Sequence, residues 1–258
     1  MSILEGFCLI KFFSIGYSIK VSIHEKAIMK IARWVMGYSK KQSVDCLERS
    51  IESFLKFYDV KVIICHNCDP KHLKHIGHEL YDQRKEYQIK PEGVSWKLYP
   101  PRIELKSHEV VIDNDIVFDE KIEEIEEFFE SDSTLMLEGL SRNYGRFEKH
   151  VPVGYRINSG VYGMPPNFDF KKYVSFYANK EWQINAVGTH AANRTFDEQG
   201  LVALALLDHK NKIIISNKTL SNCENKFVKA KGMHFVGLNR VERHKAYEEY
   251  KSSKRKII

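Results

Sequence analysis

Two aspartates separated by one residue, Asp113-Asn114-Asp115, close an apolar run, Val110-Val111-Ile112. Alternate residues of an extended segment share a face, so the two carboxylates sit side by side at a strand end. Repulsion and desolvation both oppose ionising such a pair, and a divalent cation carrying a diphosphate resolves that conflict. Hard oxygen donors suit Mg²⁺ or Mn²⁺, which commonly keep open positions for substrate phosphates. The plainer alternative is that Asp113 and Asp115 cap a turn and the helix beginning near Asp119.

Further segments fall in a recognisable order around this pair. Upstream lies Trp96-Lys97-Leu98-Tyr99-Pro100-Pro101-Arg102; downstream lie Asn158-Ser159-Gly160-Val161 and, late in the chain, His234-Phe235-Val236-Gly237-Leu238-Asn239-Arg240. With Val110 to Val117 these segments resemble the GT-A glycosyltransferases, most closely the retaining family eight that includes glycogenin and the lipopolysaccharide galactosyl- and glucosyltransferases. The family's Arg/Lys-Leu pair is matched by Lys97-Leu98, its Asn-Ala/Ser-Gly-Val strand by Asn158 to Val161, and its His-x-x-Gly-x-x-Lys motif by His234 to Arg240. The resemblance spans about Met29 to Arg240. It implies an α/β GT-A (Rossmann-like) domain, a nucleotide-sugar donor with uridine as its base, and a divalent metal. Arg240 stands where the family has lysine, Val241-Glu242 replace the following Pro-Trp, and Asp197-Glu198-Gln199 match the family's Asp-Gln pair only loosely. Retention or inversion is therefore left open.

The residue chemistry is consistent with those roles. His234 can complete the coordination of a borderline metal held by two carboxylates, although it is one of 11 histidines. Gly237 would let backbone approach a phosphate, and Arg240 supplies a permanent, planar charge for the leaving diphosphate. Lys97 and Arg102 are candidates to contact the diphosphate or to pair with Asp113, against the commoner fate of a cation in solvent. Asn158 and Ser159 offer small polar groups for sugar hydroxyls at a strand edge, or form a simple turn. Asp197 and Glu198 precede Leu201, Leu204 and Leu207, in the first turn of a helix where negative charge is favoured in any case. One of them would be the general base of an inverting enzyme; in a retaining enzyme they would orient a sugar.

These residues need a scaffold, and hydrophobic periodicity supplies one. Met29 to Val35 reads as a first strand, and Val44, Leu47, Ile51, Phe54, Leu55 and Tyr58 as one stripe of a helix. Lys61 to Cys65 is a buried strand, Leu73, Ile76 and Leu80 predict a further helix, and Val110 to Ile112 a strand running into the aspartates. Ile122, Ile125 and Phe128 or Phe129 open the next helix. This alternation predicts a single α/β domain with a mostly parallel central sheet flanked by helices, and ligands beyond the carboxyl ends of its strands. The expected division is an extension over 1–25, the domain over 26–245 and a basic tail over 246–258.

The 258 residues, 43% hydrophobic, bury a core without disulfides, and five scattered cysteines point to a reducing compartment. A stretch as short and mixed as Phe7 to Ile23 does not span a bilayer, so a soluble cytoplasmic protein is expected. The net charge of +6 favours anionic partners. Beside the donor, a glycan, lipid-linked or protein acceptor is expected, with weak membrane contact through the basic tail and no nucleic acid. Two rivals stand beside this reading. Cys65-His66-Asn67-Cys68 with His72, His75 and His78 could form a zinc-stabilised nucleic-acid module. A nucleotidyltransferase would also carry a carboxylate pair, but Val35 to Lys41 holds one glycine where a triphosphate-gripping loop needs several.

Overall fold

The computed structural model describes residues 28–37, 41–86, 94–177, 196–223, 229–237 and 241–254. The extension over 1–25, Arg240 and the last four residues of the tail lie outside them. In chain order the first half comprises β1 (Lys30–Met36), α1 (Lys41–Leu55), β2 (Lys61–His66), β3 (Glu79–Asp82), β4 (His108–Asp113), β5 (Ile116–Phe118), α2 (Glu123–Phe129) and β6 (Thr134–Glu138). The second comprises β7 (Ile157–Met164), α3 (Lys171–Tyr177), α4 (Asp197–Leu207), β8 (Lys212–Ile215), β9 (Leu220–Asn222), β10 (Gly232–His234) and α5 (Val241–Lys254).

The main sheet has the order β3-β2-β1-β4-β7-β6-β8. Strand β7 runs antiparallel to both neighbours and every other adjacent pair is parallel. Ile31 through Met36 of β1 are all buried, as a strand covered on both faces requires. One face packs Trp34, Ile64 and Ile112 against Leu47, Ile51 and Phe54 of α1 and Phe128 of α2. The other packs Val35, Met136 and Tyr162 against Leu201, Val202 and Leu206 of α4. Burying a single side chain of this size contributes roughly 1.5–3 kcal/mol, so the two clusters dominate the stability of the fold.

Helix α1 follows its predicted stripe except at Leu55, which is 38% exposed at the helix end. Tyr58 lies beyond the helix, where its hydroxyl donates to Ile122 O and accepts from Ile122 N. The helix predicted at Leu73, Ile76 and Leu80 is absent. Two 3-10 turns, Pro70–His72 and Lys74–Ile76, end at Gly77 with φ of 78°, and Leu80 enters the edge strand β3 opposite Ile64. Of the three apolar residues only Leu73 is fully buried, too little to hold a helix against the sheet. Asn158-Ser159-Gly160 is likewise not at a sheet edge: β7 is central, between β4 and β6.

A second, three-stranded sheet, β5-β10-β9, is built where β4 ends. The chain leaves β4 at Asp113, turns through Asn114, and enters β5 at Ile116. Strand β10 pairs antiparallel with β5, setting His234 opposite Ile116. Helix α5 closes over this end: Tyr247 packs on Cys46, Val117 and Phe235, and its hydroxyl donates to Asp45 at 2.6 Å.

Candidate active site

The pairing of β10 with β5 makes the site. With His234 opposite Ile116, its ring lies against the preceding residue, Asp115, and Nε2 is 3.2 Å from Asp115 Oδ1. The ladder continues through Phe235 N, which donates to Asp115 O, and Gly237 N donates to Asp115 Oδ2 at 3.0 Å. Gly237 has φ of 73°, a conformation glycine adopts without strain. Ligand atoms of Asp113, Asp115 and His234 all lie within 4.8 Å of one another.

Asp115 Oδ1 and His234 Nε2 are both buried and have no hydrogen-bond partner. A buried carboxylate oxygen facing an imidazole nitrogen, with Asp113 alongside, is a donor set that fits a divalent cation. The two acids differ in their electrostatics. Burial raises Asp113 above the usual carboxylate range; Lys97 opposes this and the charge of Asp115 adds to it. For Asp115 burial pulls the same way, but His234, Lys97 and the Gly237 amide outweigh it and hold the group below that range.

Lys97 reaches the cluster from a 3-10 turn, Ser95–Leu98, and its Nζ donates to Asp113 Oδ1 at 2.6 Å. Burial disfavours the ammonium charge, yet Asp113 and Glu198 more than compensate and keep it above its usual range. Glu198 comes from the first turn of α4 and is 2% exposed. Its Oε2 accepts from Ser159 Oγ at 2.9 Å, and its buried Oε1 has no partner. Burial lifts this carboxyl to about 7, with Asp113 adding to the shift and Lys97 and Ser159 opposing it.

Strand β7 can present Ser159 to α4 because it is bulged. Leu137 pairs with Asn158 and Met136 with Tyr162, so residues 159–161 have no counterpart in β6. Such an irregularity re-aims side chains next to a site. Asn158 Oδ1 accepts from Gly160 N at 2.7 Å, and the residue lines a 20 Å³ cavity with Asn222 and His234. Gly160 carries the His234 ring: a Cβ there would lie 2.4 Å from His234 Cε1.

The structure thus gathers Lys97, Asp113, Asp115, Asn158, Ser159, Glu198, His234 and Gly237 and sets two candidates apart. Arg102 pairs with Glu109, and Nη1 and Nη2 donate to Pro165 O and Ser107 O at 2.9 and 2.7 Å. Glu109 lies about 13 Å back along β4 from Asp113, so this guanidinium braces the far end of the strand. Asp197 is fully buried and accepts from Arg146 N and Nε at 2.8 and 2.7 Å, which occupies both its oxygens. Arg146 carried no signal in the sequence, since nothing local links it to a residue 51 positions away.

No family model matches the sequence, and no curated protein does either. Solved structures do match. Mouse xyloside xylosyltransferase 1, apo form, aligns over 83% of this chain and 100% of its own, with a TM-score of 0.51 at 10% identity. The galactosyltransferase LgtC in complex with donor and acceptor sugar analogs aligns over 84% and 94%, with a TM-score of 0.53 at 11% identity. The chain has the GT-A fold. The glycosyltransferase GlyE of Streptococcus pneumoniae shares it at a TM-score of 0.52 and 12% identity, over 86% of this chain and 60% of its own. In this GT-A fold the acidic cluster sits beyond the carboxyl end of β4, where open α/β sheets bind ligands.

The zinc-module reading is not favoured. Cys65 points into the core on the α4 face of the sheet while Cys68 packs against the opposite face, and His72 and His75 are exposed. Among the described residues the Asp113, Asp115 and His234 group alone could hold a metal. None of the described helices is long and apolar enough to cross a membrane.

Proposed function

We propose that this chain is a metal-dependent glycosyltransferase that moves a sugar from a nucleoside diphosphate, uridine diphosphate by preference, to a hydroxyl of a glycan, lipid-linked or protein acceptor. The observation that carries this reading is the open donor pair, Asp115 Oδ1 and His234 Nε2, beside Asp113 at the end of β4 in a GT-A fold. Mn²⁺ or Mg²⁺ held by these three residues would supply Lewis-acid stabilisation of the departing diphosphate.

The other residues divide the remaining work. Lys97 places a cation beside Asp113, where it offsets phosphate charge, and Arg240, by its place in the late sequence motif, is the candidate for a second. The Gly237 amide orients Asp115. Between the two acids of α4, Glu198 takes the reacting role, because one oxygen is free and its carboxyl titrates near neutrality, where a general acid or base works best. Asp197, held by Arg146, fixes the first turn of α4 and thereby Glu198. Asn158 and Ser159 flank the space a donor sugar would occupy. The basic C-terminus is a weak candidate for membrane contact, since Lys251 is already paired with Asp45 and Glu248.

A panel of nucleotide sugars incubated with Mn²⁺ or Mg²⁺, with release of nucleoside diphosphate as readout, tests the proposal. Metal-dependent turnover of at least one donor, lost on chelation, is expected. Release of pyrophosphate from a nucleoside triphosphate would instead identify a nucleotidyltransferase.

A further inference from the structure

Lys97 is aimed at Asp113 from a single short turn, and one buried amide grips the backbone on both sides of the lysine. Gln83 is fully buried in the 3-10 turn Gln83–Lys85 that follows β3. Its Nε2 donates to Trp96 O at 3.1 Å and to Tyr99 O at 2.5 Å. One carbonyl immediately precedes Lys97 and the other lies two residues after it. Both partners are acceptors, so the side chain must present its NH₂ group to them. Arg33 extends the grip by one residue, with Nη1 donating to Pro100 O at 2.6 Å.

Gln83 also carries a cost. Its Oε1 is buried without a hydrogen-bond partner. An unmet buried acceptor disfavours folding, so an apolar residue of this size would suit a purely packing role better. We propose that Gln83 is a positioning residue, which fixes the turn Ser95–Leu98 so that Lys97 meets Asp113 and, on the functional reading above, the diphosphate of the donor.

Gln83→Met removes both donors and keeps the volume. Amine acetylation read by mass spectrometry tests the positioning without any ligand. Lys97 has a side chain 17% exposed and paired with Asp113, and Lys251, 15% exposed and paired with Asp45 and Glu248, serves as an internal control. Gln83→Met is expected to raise the labelling rate of Lys97 by about tenfold and leave Lys251 unchanged, because local release of one turn differs from global loosening. Unchanged labelling of Lys97, or an equal rise at both lysines, overturns the proposal.

Titration with uridine diphosphate in the presence of Mn²⁺ tests the consequence. Gln83→Met and Lys97→Met should each weaken binding about tenfold, and the double variant should bind no more weakly than Lys97→Met, since the first residue acts through the second. Mn²⁺ alone should bind Gln83→Met no more weakly than the wild type, because release of Lys97 frees Asp113. Additive losses overturn the coupling to Lys97. A wild-type protein that binds Mn²⁺ but no uridine diphosphate would instead defeat the functional reading, and the labelling result would still decide the role of Gln83.

Discussion

Asp115 and His234 face each other across 3.2 Å with their nearest atoms otherwise unpartnered, while Asp113 is engaged by Lys97. Asp115 is therefore the group whose charge would matter most to an ion held there. Asp115→Asn keeps the volume and removes that charge, and Mn²⁺ affinity by calorimetry should fall about 100-fold or more with the circular dichroism spectrum unchanged. Wild-type affinity in the folded variant would remove the site. Glu198 permits a second test, through pH. Its folded value of about 7 lies above its ordinary 4.5, so the folded state binds the proton more tightly than the unfolded chain. The resulting stabilisation is complete below about pH 4.5 and is lost as pH rises through about 7. Urea denaturation in chelator should show wild type losing up to about 3 kcal/mol relative to Glu198→Gln between pH 4.5 and 8. Parallel pH profiles would show that this carboxyl is not perturbed.

At the scale of elements, the site depends on two irregularities: a second small sheet begun by the turn after β4, and a bulge in β7. The bulge brings Gly160 beneath the His234 ring, while Gly163, in the regular ladder opposite Leu135, lies beneath Phe128, where a Cβ would lie 2.7 Å from Phe128 Cζ. These glycines make a matched pair. Alanine at either should cost roughly 1–3 kcal/mol through overpacking. Only Gly160→Ala displaces His234, a proposed ligand, so it should also weaken Mn²⁺ binding, by about tenfold, while Gly163→Ala leaves metal affinity intact. Equal metal affinities in the two variants would argue that the ring of His234 moves freely. The turn of Lys97 belongs at this scale too, because its position is set by Gln83 and Arg33 from neighbouring elements.

Across the whole molecule, a buried ion pair joins the two central strands β1 and β4 behind the site. Arg33 of β1 and Glu109 of β4 are both fully buried, 3.1 Å apart, and Arg102 shares the carboxylate. Removing Glu109 leaves Arg33 inside without a counter-charge. Glu109→Ala should cost about 3–5 kcal/mol in denaturant unfolding, far more than an exposed pair such as Lys61–Glu79. Metal at the site should act on the same global equilibrium. At 100 times its dissociation constant, Mn²⁺ should stabilise the protein by about 2.7 kcal/mol, visible as a rise in melting temperature that Asp115→Asn abolishes.

The sequence by itself determined the strands β1, β2 and β4, helix α1 and the placement of Asp113 and Asp115 at a strand end. Burial on both faces leaves unbroken apolar runs and a one-sided helix leaves a 3.6-residue stripe, and both signals are local. The match of His234 to a known motif carried across the distance that local signals cannot. Tertiary structure alone decided what each charged candidate does. Asp197 and Glu198 are neighbours in one helical turn, about 100° apart around its axis, and only packing settled that one meets Arg146 and the other Ser159. Arg102 and Lys97 flank the same proline pair, yet one braces Glu109 and the other Asp113. The helix expected over Leu73, Ile76 and Leu80 became two 3-10 turns and an edge strand, because β2 offered Leu80 a backbone to pair with, and a free sheet edge is visible only once the sheet exists.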